Sequence, residues 1–150
     1  MQRYLIAAAL VALAIAGCGG GSAAPPVEGV VTLDGKPLAN ATVQLIPQGQ
    51  NMGQTGFGRT SADGKFTIAS ADGRATGALA GEYKVVISKH IRPDGSDYIA
   101  KPDEDPMLAA YKELLPPVYS NAEQTKLQTT IGAEGKKDLN FNLTKNGRGS

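Results

Sequence analysis

The feature that most constrains this chain is a two-residue alternation of apolar and polar side chains, which begins at Val27. It recurs in short runs separated by turns rich in Gly, Pro and Asp. Such alternation is typical of strands that bury one face. Seven runs are present, at 27–33, 41–45, 57–60, 65–68, 83–87, 127–131 and 139–143. They predict an all-β fold, a seven-stranded antiparallel β-sandwich.

Two Asp-Gly-Lys triplets mark the sharpest predicted turns. Asp34-Gly35 precedes Lys36-Pro37, and a proline cannot continue a strand ladder. Asp63-Gly64 separates the runs 57–60 and 65–68 and predicts a β-hairpin between them. The two triplets are similar turn sequences and do not belong to a longer internal repeat.

Residues 92–119 interrupt the alternation and form a long crossover. Asp105 suits a helix N-cap, and Pro106 suits the first helical position. We therefore predict one short amphipathic helix in this insertion, ended by Pro116 and Pro117. Its apolar stripe comprises Met107, Leu108, Tyr111, Leu114 and Leu115. Because folding alone explains this insertion least, it is the first place to look for function.

The amino terminus is predicted to be a targeting signal and not part of the folded domain. Residues 1–17 contain Arg3 and then 4–16 without a charge, which is typical of a secretory signal and too short for a transmembrane helix of about 20 residues. Ile15-Ala16-Gly17-Cys18 resembles the lipobox of bacterial lipoproteins. That resemblance implies lipidation of the Cys18 thiol and anchoring to a membrane. A plain signal peptide and an uncleaved anchor are the alternatives.

These features divide the chain into four segments. The predicted lipoprotein signal peptide, 1–17, is followed by the lipidated Cys and a Gly- and Pro-rich flexible tether, 18–26. The β-sandwich domain covers 27–144, and 145–150 is predicted to be a disordered tail. By resemblance to sorted lipoproteins, Gly19 after the cysteine favours the outer membrane or the cell surface over the inner membrane.

Charge and cysteine content exclude several classes. The chain of 150 residues has 15 basic and 14 acidic side chains, and without Arg3 the two counts are equal. Nucleic acid is therefore not an expected partner, since its binding depends on neutralising phosphates. A single Cys excludes a disulfide framework and a cysteine-based zinc cluster.

Three segments resemble the carboxypeptidase regulatory-like domain, a small transthyretin-like sandwich. They are VVTLDGKPLANATV at 30–43, TSADGKF at 60–66 and GEYKV at 81–85. The segments 115–119 and 139–143 are similar to bacterial surface lipoproteins that carry one such domain after a lipobox. The resemblance covers nearly all of 27–144 and implies a fold, but its motifs imply no activity.

Catalytic and metal-binding residues are not predicted. His90 is the only histidine, and a transthyretin-like hydrolase would need it in a pocket with Arg59 or Arg74. The ending 147–150 resembles that of hydroxyisourate hydrolases, but those enzymes need a second His. Intradiol dioxygenases, which share the sandwich architecture, need two His residues to bind iron. The acidic run 103–105 is expected to be a solvated turn and helix cap, with a Ca²⁺ site as the alternative. No cofactor is expected.

Aromatic residues in the insertion are the best candidates for a binding surface. We expect Tyr98 and Tyr119 there, whereas Tyr111 belongs to the apolar stripe and is expected to pack in the core. The leading expectation is a non-catalytic cell-envelope lipoprotein whose β-sandwich is a structural or interaction module. The alternatives are an extracellular glycan- or protein-binding module that uses 92–119 and, after it, a transthyretin-like hydrolase.

Overall fold

The computed structural model describes residues 24–50, 53–71, 73, 75–101, 103–105 and 109–149. Cys18, Arg74, Met107 and Leu108 lie outside these residues, and so does the signal peptide with most of the tether. The described part forms eleven strands and one short helix: β1 Val27–Leu33, β2 Lys36–Pro37, β3 Thr42–Pro47, β4 Gly56–Arg59, β5 Lys65–Thr67, β6 Ala69–Ser70, β7 Gly81–Ser88, β8 His90–Ile91, β9 Lys112–Glu113, α1 Pro117–Ser120, β10 Gln128–Ile131 and β11 Lys136–Leu143.

The strands form two main sheets, as expected for a β-sandwich. In the first sheet, β1 lies between β11 on one edge and both β2 and β5 on the other. The second sheet has the strand order β10-β7-β3-β4-β6, and β8 and β9 form a separate two-stranded ladder. Each of the seven predicted runs coincides with one of the strands, and the four additional strands have only two residues each.

Alternation produces the core, because every second side chain of the main strands points inward. Along β1 the residues Val27, Gly29, Val31 and Leu33 are buried, and the residues between them are partly exposed. Strands of both sheets contribute to one apolar cluster, which also contains Tyr83, Tyr119 and Leu115. The prediction of one buried face is therefore confirmed for the main strands except β7, where Val86 is buried between Val85 and Ile87.

The turn at Asp34-Gly35 joins β1 to β2 as a two-residue hairpin loop. Asp34 has φ 51° and Gly35 has φ 78°, the pair of positive values that a type I′ turn requires. Beyond Thr32 and Pro37, the Leu38 N–H still donates to Val31 C=O over 3.0 Å, but the Val31 N–H donates to Gly64 C=O instead of to Leu38, so the ladder ends there. This turn is as predicted.

The predicted hairpin at Asp63-Gly64 is right about the turn and wrong about the pairing. Ser61 N–H donates to Lys65 C=O over 2.8 Å, which closes the turn. However, β4 pairs with β3 and β6, whereas β5 pairs with β1, so the two arms belong to different sheets. The cause is a contact with the other sheet, since Val31 N–H donates to Gly64 C=O over 2.9 Å.

The expectation of an entirely antiparallel arrangement is also wrong. β1 and β11 pair in parallel, from Val27 opposite Lys136 to Leu33 opposite Leu143. Parallel neighbours need a long connection, and almost the whole domain lies between these two strands. No local turn therefore sets their relative direction.

The predicted helix at 106–115 is wrong in its described part. Lys112–Glu113 is strand β9, which pairs with His90–Ile91, and the only helix of the described residues is α1. Pro117 begins that helix instead of ending one. Its missing N–H suits the first turn, where the N–H would have no helical partner. No helix of the described residues is long and apolar enough to cross a membrane.

The sequence predicts a disordered tail at 145–150, and in the structure this segment is hydrogen-bonded as far as Gly149. The Tyr119 hydroxyl accepts the Gly149 N–H over 2.6 Å and the Thr144 N–H over 3.3 Å. Arg148 N–H donates to Thr144 Oγ1 over 2.9 Å. A buried tyrosine on α1 thus fastens this segment to the end of β11.

Candidate functional site in the 89–113 segment

The β8–β9 ladder fixes the insertion to the end of β7, and one carboxylate does much of this. Glu113 Oε1 accepts the N–H of Lys89 over 2.9 Å and that of Leu115 over 2.8 Å. Its second oxygen, Oε2, lies 3.5 Å from His90 Nε2. Leu114 N–H also donates to Lys89 C=O over 2.8 Å. The outgoing and returning ends of the insertion therefore lie side by side.

Two tyrosines and the single histidine form an aromatic group on this ladder. The Tyr98 and Tyr111 rings are stacked, with centroids 4.5 Å apart and planes 12° apart. The His90 ring lies 4.8 Å from Tyr111 in a tilted arrangement. Arg92 Cζ lies 5.5 Å from the Tyr98 centroid, within the range of a cation–π contact. The stack thus joins β8 to both ends of the insertion.

Exposure of the two tyrosines is the reverse of what we expected. Tyr98 is only 8% exposed, whereas Tyr111 is 40% exposed. The difference arises because the chain before β9 lays Tyr111 over Tyr98 and does not turn it inward as part of a helix. Tyr98 therefore supports the exposed ring from below and is not itself a surface contact.

Tyr119, the second predicted surface residue, is 2% exposed and lies in the core. In the structure its hydroxyl accepts hydrogen bonds from the carboxyl-terminal segment. Ile99 was not singled out from the sequence, yet it is 43% exposed directly after Tyr98. No local pattern in the sequence marks Ile99, because its exposure depends on how this loop folds.

The insertion also contains two buried polar atoms. The Tyr98 hydroxyl and Glu104 Oε2 are both buried, and neither has a hydrogen-bond partner within the described residues. Burial, and after it the negative charge of Glu104, raises the pKa of the Tyr98 hydroxyl, so this phenol stays neutral.

The loop between β8 and Tyr98 is held by an ionic contact to the body of the domain. Lys89 Nζ lies 2.8 Å from Asp97 Oδ1 and donates to Ala39 C=O over 2.6 Å. Asn40 Nδ2 donates to Asp97 Oδ2 over 2.7 Å. The hydrogen bonds from Lys89 and Asn40 lower the pKa of the Asp97 carboxyl. The base of the insertion is therefore fixed, although its surface is exposed.

The contacts of His90 are with Glu113 and Tyr111 rather than with Arg59. Arg59 pairs with Thr42, which pairs on its other side with Ser88. Two strand spacings, roughly 10 Å, thus separate Arg59 from Ser88 at the end of β7, and His90 follows Ser88 by two residues. In the part of the chain that the structure describes, no group of three His, Cys, Asp or Glu side chains is placed to hold a metal ion.

Glu113, Lys89 and Asp97 are the organising residues that sequence reasoning missed. Glu113 acts on two backbone amides that only the fold brings to it, so no local pattern marks it. The same holds for the ion pair of Lys89 with Asp97, which joins a strand end to a later turn.

No protein-family model matches the chain, and no curated protein or solved structure matches it.

Proposed function

We propose that this chain is a non-catalytic lipoprotein of the cell envelope, anchored through Cys18, whose β-sandwich is an interaction module. The transthyretin-like, carboxypeptidase regulatory-like identity of that module is part of the same proposal and rests on the sequence segments given above. The binding face is the surface of the insertion around Tyr111. Membrane sorting to the outer membrane or cell surface is inferred from Gly19.

The observation that carries this proposal is the supported, exposed ring of Tyr111. Stacking on Tyr98 and the contact with His90 hold it in one orientation, so little conformational entropy is lost when a partner covers it. The exposed Ile99 and the Arg92 side chain lie on either side of Tyr98 in the sequence. Tyr and Arg side chains are enriched at the centre of protein–protein interfaces.

A protein partner is therefore the first candidate, and an envelope glycan is the second. The specific observation in favour of a glycan is that the flat Tyr111 ring lies beside His90, whose side chain faces the Glu113 carboxylate. A planar ring with polar groups at its rim can stack on a sugar and hydrogen-bond to its hydroxyls. The two candidates are distinguished by whether the immobilised chain retains an envelope protein or an envelope polysaccharide.

The test compares two exposed aromatic residues in the full-length chain. Tyr111→Ser is expected to abolish retention of an envelope protein, or of envelope polysaccharide, on the immobilised chain in detergent. Phe57→Ser is the matched control, because Phe57 is 38% exposed on β4 and belongs to no part of the insertion. Equal retention by both variants, or equal loss, would contradict the proposed face.

The anchor is tested separately. Cells that express the full-length chain are grown with labelled palmitate and separated into membrane and soluble fractions. The wild-type chain is expected to be labelled and to sediment with membranes, whereas Cys18→Ser carries no label. An unlabelled wild-type product would remove the lipoprotein part of the proposal and leave the binding face untouched.

A further inference from the structure

A second surface, remote from the insertion in the sequence, lies where β10 and β11 separate. The two strands are joined by a tight turn closed by the pairing of Gly132 with Gly135. Beyond that turn they enter different sheets, β10 beside β7 and β11 beside β1. Each is the last strand on its side of its sheet, so within the described residues each has an outer edge without a strand partner.

The register of β10 shows which backbone groups face outward. Val85 N–H donates to Leu127 C=O over 2.8 Å, so Leu127 directs its backbone groups toward β7. Backbone direction alternates along an antiparallel strand, and therefore Thr129 and Ile131 also face β7. Gln128 and Thr130 consequently direct both N–H and C=O to the outer edge.

The facing edge of β11 follows from the same reasoning. Leu143 C=O accepts the Asp34 N–H over 2.9 Å, so Leu143 and the alternate residues before it face β1. Asp138 and Asn140 then face outward, and Asn140 Nδ2 donates to the Asp138 C=O over 2.9 Å. The side chain of Asn140 thus caps one outward carbonyl of this edge.

A polar groove follows β10 and is lined by residues of β11 in one part and by residues of β7 in the other. It consists of two cavities of about 530 Å³ and about 480 Å³ that share Gln128, Thr129 and Lys136 as lining residues. Thr129 is 9% exposed, and its hydroxyl has no hydrogen-bond partner among the residues that the structure describes. Most of the side chains that line the two cavities are polar, which suits a polar occupant.

We propose that this groove binds an extended polypeptide segment, which adds as a strand to the free edge of β10. The outward N–H and C=O groups of Gln128 and Thr130 recur every second residue, and an extended chain offers acceptors and donors at that same period. Four residues of β10 correspond to about 13 Å of a bound strand. The site is independent of the surface around Tyr111 and extends the function proposed above.

Charge supports a neutral, polar occupant. Lys126 and Lys136 line the groove together with Asp138 and Glu82, so the lining has cations and carboxylates in equal number. Neither a polyanion nor a basic segment is favoured by such a lining. The alternative occupants, a small anion held by the lysines and a second copy of the chain paired through β10, are outcomes of the test.

The test uses random eight-residue peptides, displayed on phage, selected on the full-length chain in detergent micelles. A selected peptide is then synthesised with N-methyl groups at single positions. Strand addition predicts that methylation at alternate positions weakens binding by about tenfold, the effect of one lost hydrogen bond, and that the positions between them tolerate it. Uniform tolerance would overturn the proposal.

Two substitutions at one position give a matched comparison. Thr130→Pro removes an outward N–H without removing a bond to β7, whereas Thr130→Val keeps that N–H and removes only the hydroxyl. We expect Thr130→Pro to lose the peptide and Thr130→Val to retain it. Equal loss in both variants would mean that the side chain, and not the strand edge, binds the peptide.

Amide hydrogen exchange of the wild-type chain gives a readout that does not depend on any variant folding. The bound peptide is expected to slow exchange of the Gln128 and Thr130 amides and to leave that of Thr129, already directed toward β7, unchanged. Concentration-dependent dimerisation that protects the same amides without peptide, or displacement of the peptide by inorganic phosphate, would overturn the proposal. Tyr111→Ser is expected to bind the peptide normally, which separates this site from the proposed face of the insertion.

Discussion

Lys89 Nζ lies 2.8 Å from Asp97 Oδ1, and this contact joins the end of β7 to the loop that leads to Tyr98. The Lys89 side chain is 10% exposed and that of Asp97 is 32% exposed, so solvent screens the pair only in part. Because Lys89 also donates to the Ala39 carbonyl, one ammonium group fastens the insertion to the loop before β3. The proposed binding face thus stands on a fixed base.

Removal of this ammonium group is expected to destabilise the domain. Lys89→Met leaves the Asp97 carboxylate and the Ala39 carbonyl without a charged donor, and we expect the free energy of unfolding to fall by about 1–3 kcal/mol. Lys145→Met is the control, since its pair with Asp34 spans 3.9 Å between exposed side chains. Urea unfolding should show a loss of at most about 0.5 kcal/mol for that variant. Equal losses would contradict the structural role of Lys89.

The same contact predicts a pH dependence. The folded-state pKa of Asp97 is lowered from 3.8, so its carboxylate stabilises the fold above that pH and loses this contribution as the pH falls through the lower folded-state pKa. Asp97→Asn cannot be deprotonated and lacks the contribution at every pH. The difference in free energy of unfolding between wild type and variant should therefore shrink as the pH falls below 3.8.

A constant difference across that range would mean that the carboxylate charge is not what stabilises the loop. The lowered pKa of Asp94, caused mainly by the Ser96 hydroxyl, acts in the same direction but is present in both proteins. It cancels in the comparison, which isolates Asp97.

The Tyr119 hydroxyl is predicted to control the order of the carboxyl terminus. Tyr119→Phe keeps the buried ring but removes the acceptor of the Gly149 and Thr144 amides, so we expect a loss of about 1 kcal/mol and faster exchange of the Gly149 amide. Tyr83→Phe is the matched control, because it removes a single hydrogen bond to Leu79 C=O over 2.9 Å. Faster Gly149 exchange in both variants would point to general destabilisation instead.

Gly29 is predicted to tolerate no side chain. A Cβ there would lie 2.4 Å from Leu139 O and 2.7 Å from Phe66 Cζ, because β1 packs closely against β11 at this point. Gly29→Ala is expected to lower the free energy of unfolding by about 3 kcal/mol, the upper range for overpacking. At Gly132 the nearest atom to such a Cβ is 4.0 Å away, so Gly132→Ala should change stability by less than about 1 kcal/mol. Equal stability of the two variants would contradict the close packing.

The strands could be predicted from the sequence because burial of alternate residues leaves a local mark. Val43 and Leu45 are fully buried while Gln44 between them is not, and this alternation is visible in the amino-acid sequence. The direction of β11 relative to β1 leaves no such mark, since it depends on residues more than a hundred positions apart. The same reason explains why the arms of the Asp63-Gly64 turn were assigned to one sheet.

The insertion was harder to predict because tertiary contacts override its local pattern. The apolar spacing favoured a helix through Tyr111, but Glu113 binds two backbone amides and fixes an extended segment there instead. Which tyrosine becomes exposed depends on how the segment before β9 folds back over β8, and composition carries no information about that. The sequence therefore indicates which segment departs from the strand alternation, but not which of its rings is exposed.

The parallel pairing of β1 with β11 also has a kinetic consequence. The first strand of the domain hydrogen-bonds along one edge to the last, so this sheet cannot be completed before residues 136–143 are available. Contacts so distant in sequence form slowly, because a large loop must close before they contribute. A chain that emerges amino end first, from a ribosome or through a translocation pore, therefore stays incompletely folded until almost its entire length has passed.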